Sequence, residues 1–239
     1  MKAPAAPLIE EHGRLRVVRD DLLEGGSKMR FLPFLVRGAS EVVFGGPFCG
    51  GAPYALSVIG RESGQRITLF YAKRSCWHAR QIAAKRNGAK IVEVTPGYMT
   101  NVQAKARAYA ASAGALFLPL GFDVPEAEEP FTEAMREVRK AIGGSPPEVW
   151  CAAGSGMLAR CLSRAFPDSA VHAVAVGLAS RHEAQAFGGN VVMHRCAYRF
   201  EQATRSHAPF PSCANYDRKA WELASALAKN RALFWNVLG

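Results

Sequence analysis

The chain has 239 residues, 49% of them hydrophobic and 10% aromatic, which is enough for a packed core and too apolar for a disordered chain. Thirty Lys and Arg against twenty Asp and Glu leave a net charge of +10. A small-metabolite enzyme has no need of that excess, whereas a polyanionic partner does, because each phosphate neutralised releases counterions; a solvated basic surface is the plainer reading.

No apolar run reaches the roughly 18 residues of a membrane helix. Residues 1–7, Met-Lys-Ala-Pro-Ala-Ala-Pro, lack the apolar centre of a signal peptide. A soluble cytoplasmic protein is the expectation. The six cysteines, at 49, 76, 151, 161, 196 and 213, contain no CxxC pair, so neither a zinc site nor a disulfide framework is expected. The six histidines, at 12, 78, 172, 182, 194 and 207, form no HExxH pair, and no metal is expected.

Short apolar runs alternate with amphipathic segments, which predicts an α/β fold with mostly parallel strands. Glu41–Phe44 reads as a strand ending at Gly45-Gly46-Pro47, followed by a helix over Pro53–Ile59. Arg66–Tyr71 is the next strand. Cys76–Asn87 is helical and stopped by Gly88, the residue type that best takes the left-handed position after a helix. Lys90–Val94 is a strand, Val102–Ala113 an alanine-rich helix stopped by Gly114, and Ala115–Leu120 strand-like. Residues 41–120 therefore predict a smaller Rossmann-like lobe, leaving 1–40 and 121–239 for a larger one.

A polar break is expected at Asp123–Glu129 and an amphipathic helix at Phe131–Ile142. Beyond the turn Gly143–Pro147 come a strand at Glu148–Ala152, the loop Ala153-Gly154-Ser155-Gly156 and a helix at Met157–Phe166. Val171–Val176 reads as a buried strand and Asp217–Asn230 as the last helix.

Two constellations carry chemistry. At 148–166, backbone N–H groups of Gly154, Ser155, Gly156 and Met157 at a helix start form a phosphate cradle, aided by the helix dipole. Glycine permits close approach of the phosphate, and the Ser155 hydroxyl adds a donor. A tight turn without ligand fits the same residues, and the absence of GxGxxG or a Walker lysine argues against dinucleotides and ATP. The second is Arg19-Asp20-Asp21-Leu22-Leu23-Glu24-Gly25-Gly26-Ser27-Lys28. A lysine placed at a helix start by two glycines has its ammonium form disfavoured by the dipole and by partial burial, the setting in which lysine becomes a Schiff-base nucleophile. By spacing alone, a surface lysine is the plainer reading.

The two motifs, their order and their separation resemble the fold type II pyridoxal-phosphate enzymes, the family of tryptophan synthase β, cysteine synthase, aminocyclopropane-carboxylate deaminase and D-cysteine desulfhydrase. The deaminase and desulfhydrase branch carries an Arg-Glu-Asp-Leu…Gly-Gly-Asn-Lys segment similar to Arg19–Lys28, a strand ending in Gly-Gly, and a Gly-Ser-Gly-Gly-Thr phosphate loop similar to Gly154–Met157. Its C-terminal Tyr-Thr-Gly-Lys resembles Tyr216-Asp217-Arg218-Lys219. The resemblance implies a shortened, two-lobed α/β enzyme like tryptophan synthase β and usually dimeric. It implies pyridoxal 5′-phosphate on Lys28, its phosphate on residues 154–157, and Ser212 or Asp217 beside the pyridine nitrogen. It places Cys49, Gly50, Gly51 and Tyr216 near substrate. Cys49 reads equally as a small buried thiol, and His78, a further substrate candidate, as a helix cap.

The family's loop after the Gly-Gly strand holds a Ser-Asn or Thr-x-Asn pair that grips the substrate carboxylate; here it reads Gly45-Gly46-Pro47-Phe48-Cys49-Gly50-Gly51-Ala52, with neither. An unpaired, poorly solvated carboxylate favours loss of carbon dioxide over β-elimination. The short basic chain also resembles a bacteriophage branch that decarboxylates an amino acid such as serine, O-linked to 5-hydroxymethyl-deoxyuridine in DNA, in Arg19–Lys28 and in Pro209–Cys213 with Tyr216-Asp217. That resemblance implies a double-stranded DNA partner carrying a modified thymidine, with Arg74, Arg80, Lys85, Arg86 and Arg107 as phosphate contacts; for each, an exposed helix face is the plainer reading. The alternatives are a free amino-acid lyase or deaminase of the ordinary fold type II kind, and a catalytically dead homologue that binds DNA.

Overall fold

The computed structural model describes residues 7–177 and 183–239. Residues 1–6 and His182 lie outside the described residues. The chain forms two compact units, residues 28–127 and residues 7–27 with 128–239.

The first unit is built on a four-stranded parallel sheet ordered β5-β4-β3-β6. Its strands are β3 (Glu41–Gly45), β4 (Arg66–Ala72), β5 (Lys90–Val94) and β6 (Leu116–Leu118). The crossovers are α2 (Gly51–Ser63), α3 (Ala79–Arg86) and α4 (Met99–Ala113). Alternation along the strands sends opposite residues to opposite helices. Gly60 of α2 abuts Ile67, while Val102, Ala106 and Ala110 of α4 pack on Val43, Phe70 and Val94. Helix α3 packs on α2, so α2 and α3 cover one face and α4 the other.

The second unit has a six-stranded sheet ordered β1-β2-β10-β7-β8-β9, from β1 (Ile9–His12), β2 (Leu15–Arg19), β7 (Glu148–Ala153), β8 (Ala170–Ala175), β9 (Val191–Arg195) and β10 (Ala232–Asn236). Only β1 runs antiparallel to its neighbour. Helix α7 (Asp217–Leu227) lays Ala220, Trp221 and Ala224 on Leu15, Val17, Trp150, Ala152 and Phe234. Helix α6 (Met157–Ala165) links β7 to β8, the kind of crossover that two adjacent parallel strands need.

Three expectations are corrected. Lys28 does not open an α-helix: Gly26–Arg30 is a 3-10 turn, followed by the four-residue α1 (Leu32–Leu35). A continuous α-helix would drive the Pro33 ring into the Met29 carbonyl. The acidic stretch 123–129 is no break, because α5 runs from Pro125 to Ala141. Proline suits the first helical position, and Glu126, Glu128 and Glu129 suit the positive end of the helix dipole. The expected lobe boundary also moves, since residues 28–40 and 121–127 cluster with the first unit. Phe122 makes edge contacts with Phe31 and Phe44, at centroid distances of 6.2 and 5.3 Å.

Candidate active-site turns

In open α/β sheets, ligands bind at the carboxyl ends of strands where the strand order reverses. Each sheet here has one such point. In the first unit the chain moves outward from β3 to β4 and β5, then returns to β6 on the other side of β3. In the second it moves from β7 to β8 and β9, then returns to β10 on the other side of β7. The two glycine turns singled out from the sequence follow β3 and β7.

The turn after β7 is tightly specified. Gly156 is the N-cap of α6 with φ +99°, and a Cβ there would fall 2.0 Å from Cε1 of Phe187. Only glycine satisfies both the left-handed backbone and the space. The Gly154 N–H, expected to face a ligand, instead donates to the Tyr216 hydroxyl at 2.9 Å. Tyr216 Oη in turn reaches the Ala152 carbonyl at 3.4 Å. The ring that resemblance places against substrate thus holds the loop, and burial, with Asp217 and Cys151 nearby, pushes its hydroxyl pKa up.

The cradle that remains is Ser155, Gly156 and the first turn of α6. The Met157 N–H reaches Ser155 Oγ only at 3.5 Å. The first bond inside the helix is Arg160 N–H to the Gly156 carbonyl, 3.0 Å, so the N–H groups before it lie outside the helical ladder. This suits an anion.

The segment leading into α7 borders the same turn through Tyr216. Ser212 is 5% exposed, and its Oγ has no hydrogen-bond partner among the described residues. A buried hydroxyl without a partner costs about 1–3 kcal/mol, which a ligand atom offsets. Asp217 is fully buried at the start of α7 and accepts the Leu238 N–H through Oδ2 at 3.2 Å. Nearby, the buried Lys219 donates to the carbonyls of Arg199 and Phe200 at 2.7 and 3.2 Å.

Lys28 begins the first unit and is half-buried. The two residues before it are anchored in the second. Gly26 has φ +73°, with a Cβ position only 2.3 Å from the Val237 carbonyl oxygen. The Ser27 N–H donates to that same carbonyl at 3.1 Å. Ser27 Oγ donates to Asp20 Oδ2 at 2.6 Å, and the Trp235 indole N–H is shared between the two oxygens at 3.0 Å each. Arg19 makes paired 2.8 Å bonds to the Asp21 carboxylate. The charged motif before Lys28 therefore works as an anchor. Its partner on β10, Trp235, is absent from the sequence reading, since 215 residues separate it from Asp20 and nothing local marks it.

In the turn after β3, a Cβ at Gly46 would fall 2.3 Å from Cε1 of Phe44, while Gly50 has more room. Gly50 N–H closes the turn onto the Pro47 carbonyl at 3.1 Å, and Gly50 caps α2 with φ −69°. Arg80 donates to the carbonyl of the buried Cys49 at 2.7 Å, and the Gln103 amide to the carbonyl of Gly45. His78 caps α3: its Nδ1 accepts the Arg80 N–H at 3.2 Å, while its own N–H donates to Gln81 Oε1 at 3.0 Å. Partial burial, with Arg80 and Arg74 close by, lowers its pKa. Gly51 and Ala52, which begin α2, bring backbone N–H groups to this turn, and Pro53 brings none.

The five basic residues expected to meet phosphate are not gathered. Arg74 and Arg80 border the turn after β3, the first stacked on Phe48 and the second bonded to Cys49. Lys85 and Arg86 are exposed on α3, where Lys85 lies over Trp77. Arg107 stands over Phe117 on α4, across the sheet from the rest. Among the described residues no group of three His, Cys, Asp or Glu side chains is placed to hold a metal, and no helix is long and apolar enough to cross a membrane.

No family model matches the chain, and no curated protein matches its sequence. Solved structures do. An ACC deaminase homologue superposes with a TM-score of 0.79 at 18% identity, over 98% of this chain and 90% of that one. A threonine deaminase from T.th. gives 0.69 at 14%, over 94% and 87%. O-acetylserine sulfhydrylase isoform 3 of Entamoeba histolytica gives 0.71 at 14%, over 98% and 86%. The fold is the fold type II α/β architecture expected from the sequence.

Proposed function

We propose that this protein is a pyridoxal-phosphate-dependent lyase acting on an amino acid, with Lys28 as the lysine that binds the cofactor. The observation that carries this reading is the β7–α6 turn, a glycine-only anion cradle at a switch point. Structural likeness to two deaminases and a sulfhydrylase supports it.

The residues fit the cofactor. Ser155, Gly156 and the first turn of α6 would hold its phosphate. The buried hydroxyl of Ser212, which has no other partner among the described residues, would hold the ring nitrogen. Asp217, buried at the start of α7 with Oδ2 on the Leu238 N–H, is the other candidate for that nitrogen. When bound, the cofactor supplies a sink for the electron pair released at Cα. Lys28 would move the proton at Cα.

The finer reading is decarboxylation of an aminoacyl group, such as seryl, O-linked to 5-hydroxymethyl-deoxyuridine in DNA. The Cα–carboxylate bond breaks, carbon dioxide leaves, and a proton on Cα replaces it, giving an aminoethoxy group. Support comes from the net charge of +10 and from a β3–α2 turn without the Ser-Asn pair. A second reading, β-elimination or deamination of a free amino acid, is favoured by the α2 N-terminus, where the Gly51 and Ala52 N–H groups offer a carboxylate two donors. The deciding experiment is mass spectrometry of nucleosides from seryl-modified DNA after incubation with holoenzyme. Loss of carbon dioxide from the modified nucleoside supports the first. Ammonia and a keto acid from free serine or threonine, with the DNA unchanged, support the second.

A further inference from the structure

We propose that Phe48 is a stacking platform for the nucleobase that carries the reacting group, and that Arg74 covers this platform until the nucleotide arrives. The inference rests on the reading of the substrate as a nucleotide-borne amino acid, and it names the residues that would recognise the nucleotide.

Phe48 sits in the turn after β3, half-buried, one residue before Cys49. Its ring face is covered by the guanidinium of Arg74, with Cζ 3.8 Å from the centroid. Arg74 is exposed, and among the described residues it has no carboxylate partner. A planar cation over an aromatic face at an exposed site is weakly held. A nucleobase in the same slot stacks more strongly, and every base has a π-face to offer.

The platform itself is fixed. The His78 ring meets Phe48 edge-on, with centroids 5.8 Å apart and planes at 63°. His78 cannot swing, because its ring nitrogen and its backbone N–H are both engaged in capping α3. Its lowered pKa keeps the ring neutral beside Arg74 and Arg80. Arg80 holds the next peptide through the Cys49 carbonyl, which makes it a positioning residue for the turn. The turn closed by Gly50 on Pro47 then carries the chain directly from Phe48 to the first N–H groups of α2. A base on Phe48 would thus deliver its 5-substituent to the glycine turn, and the displaced Arg74 would meet the nucleotide phosphate. A base must leave its stack to be held in this way.

The test measures the affinity of holoenzyme for thymidine, thymidine 5′-monophosphate and single-stranded oligothymidylate, together with KM and kcat on seryl-modified DNA. It compares the wild type with Phe48→Leu, Phe48→Trp and Arg74→Ala. Phe48→Leu should weaken all three ligands by about 5- to 100-fold, the range of one lost base–aromatic stack, and the loss should fall on KM rather than kcat. Phe48→Trp should restore affinity, which a merely structural role for the ring would not predict. Arg74→Ala should weaken the phosphate-bearing ligands and reduce their salt dependence, while thymidine binds as well or better. If the wild type binds and processes the DNA but Phe48→Leu leaves affinity and KM unchanged, the platform is overturned and the DNA reading stands. If the wild type binds none of the three ligands and turns over only free amino acids, both fall.

Discussion

The turns after β3 and β7 each follow a strand at the point where its sheet's strand order reverses, yet they are held in different ways. The β7 turn is locked: Phe187 fills the space beside Gly156, and Tyr216 takes the Gly154 N–H. The β3 turn is closed by the Gly50 N–H on the Pro47 carbonyl and held from outside by Arg80 on the Cys49 carbonyl and by Gln103 on that of Gly45. A rigid cradle suits a group that stays bound through many turnovers, and a turn fixed mainly through its carbonyls suits one exchanged at each turnover. The difference separates the part of the molecule that would keep a cofactor from the part that would meet a substrate.

Substitutions at the two turns test this contrast directly. Gly156→Ala meets both a left-handed φ and a 2.0 Å clash. It should lower stability by about 2–4 kcal/mol in urea unfolding and abolish retention of cofactor through gel filtration. Tyr216→Phe removes the hydroxyl that accepts the Gly154 N–H and reaches the Ala152 carbonyl. About 1 kcal/mol of stability should be lost, with a measurable rise in the cofactor dissociation constant. Gly50→Ala, by contrast, has an ordinary φ of −69° and contacts no closer than 3.1 Å, to Pro47. Its cost should stay below about 1 kcal/mol and cofactor retention should be unchanged; a loss as large as that of Gly156→Ala would erase the distinction.

The smallest expected effect concerns pH and the second unit. His172 Nδ1 and His194 Nε2 lie 2.8 Å apart, with both rings stacked on Trp150. Burial lowers both pKa values from 6.5. Between the lowered folded value and the ordinary unfolded one, the unfolded chain binds more protons, so stability falls as pH drops below about 6.5 and levels off below the folded value. Urea midpoints at a series of pH values should show this slope, and His194→Gln should flatten it.

Most of the sheet-and-helix frame is legible in the sequence, because buried parallel strands read as short apolar runs and helices end at glycines such as Gly88 and Gly114. The strands β1, β2, β9 and β10 are not legible in this way. Strand β10 has four apolar residues followed by Asn236, close to the last helix, and its place between β2 and β7 depends on partners far away in the chain. The α5 start is hidden because acidic residues and proline read as a loop until the helix dipole is considered. At the candidate site, the glycine motifs are visible as motifs. The residues that crowd these glycines, Phe187, Tyr216 and Val237, act through tertiary contacts that no local pattern announces.

Lys28, which follows the Ser27–Asp20–Trp235 anchor, is the lysine proposed to bind pyridoxal phosphate. The direct measurement is borohydride reduction of protein reconstituted with the cofactor, followed by peptide mass spectrometry. The account predicts a pyridoxyl adduct on Lys28 and none on the buried Lys219, with the yellow colour absent in Lys28→Ala. An adduct on any other lysine, or a coloured Lys28→Ala protein, would contradict it.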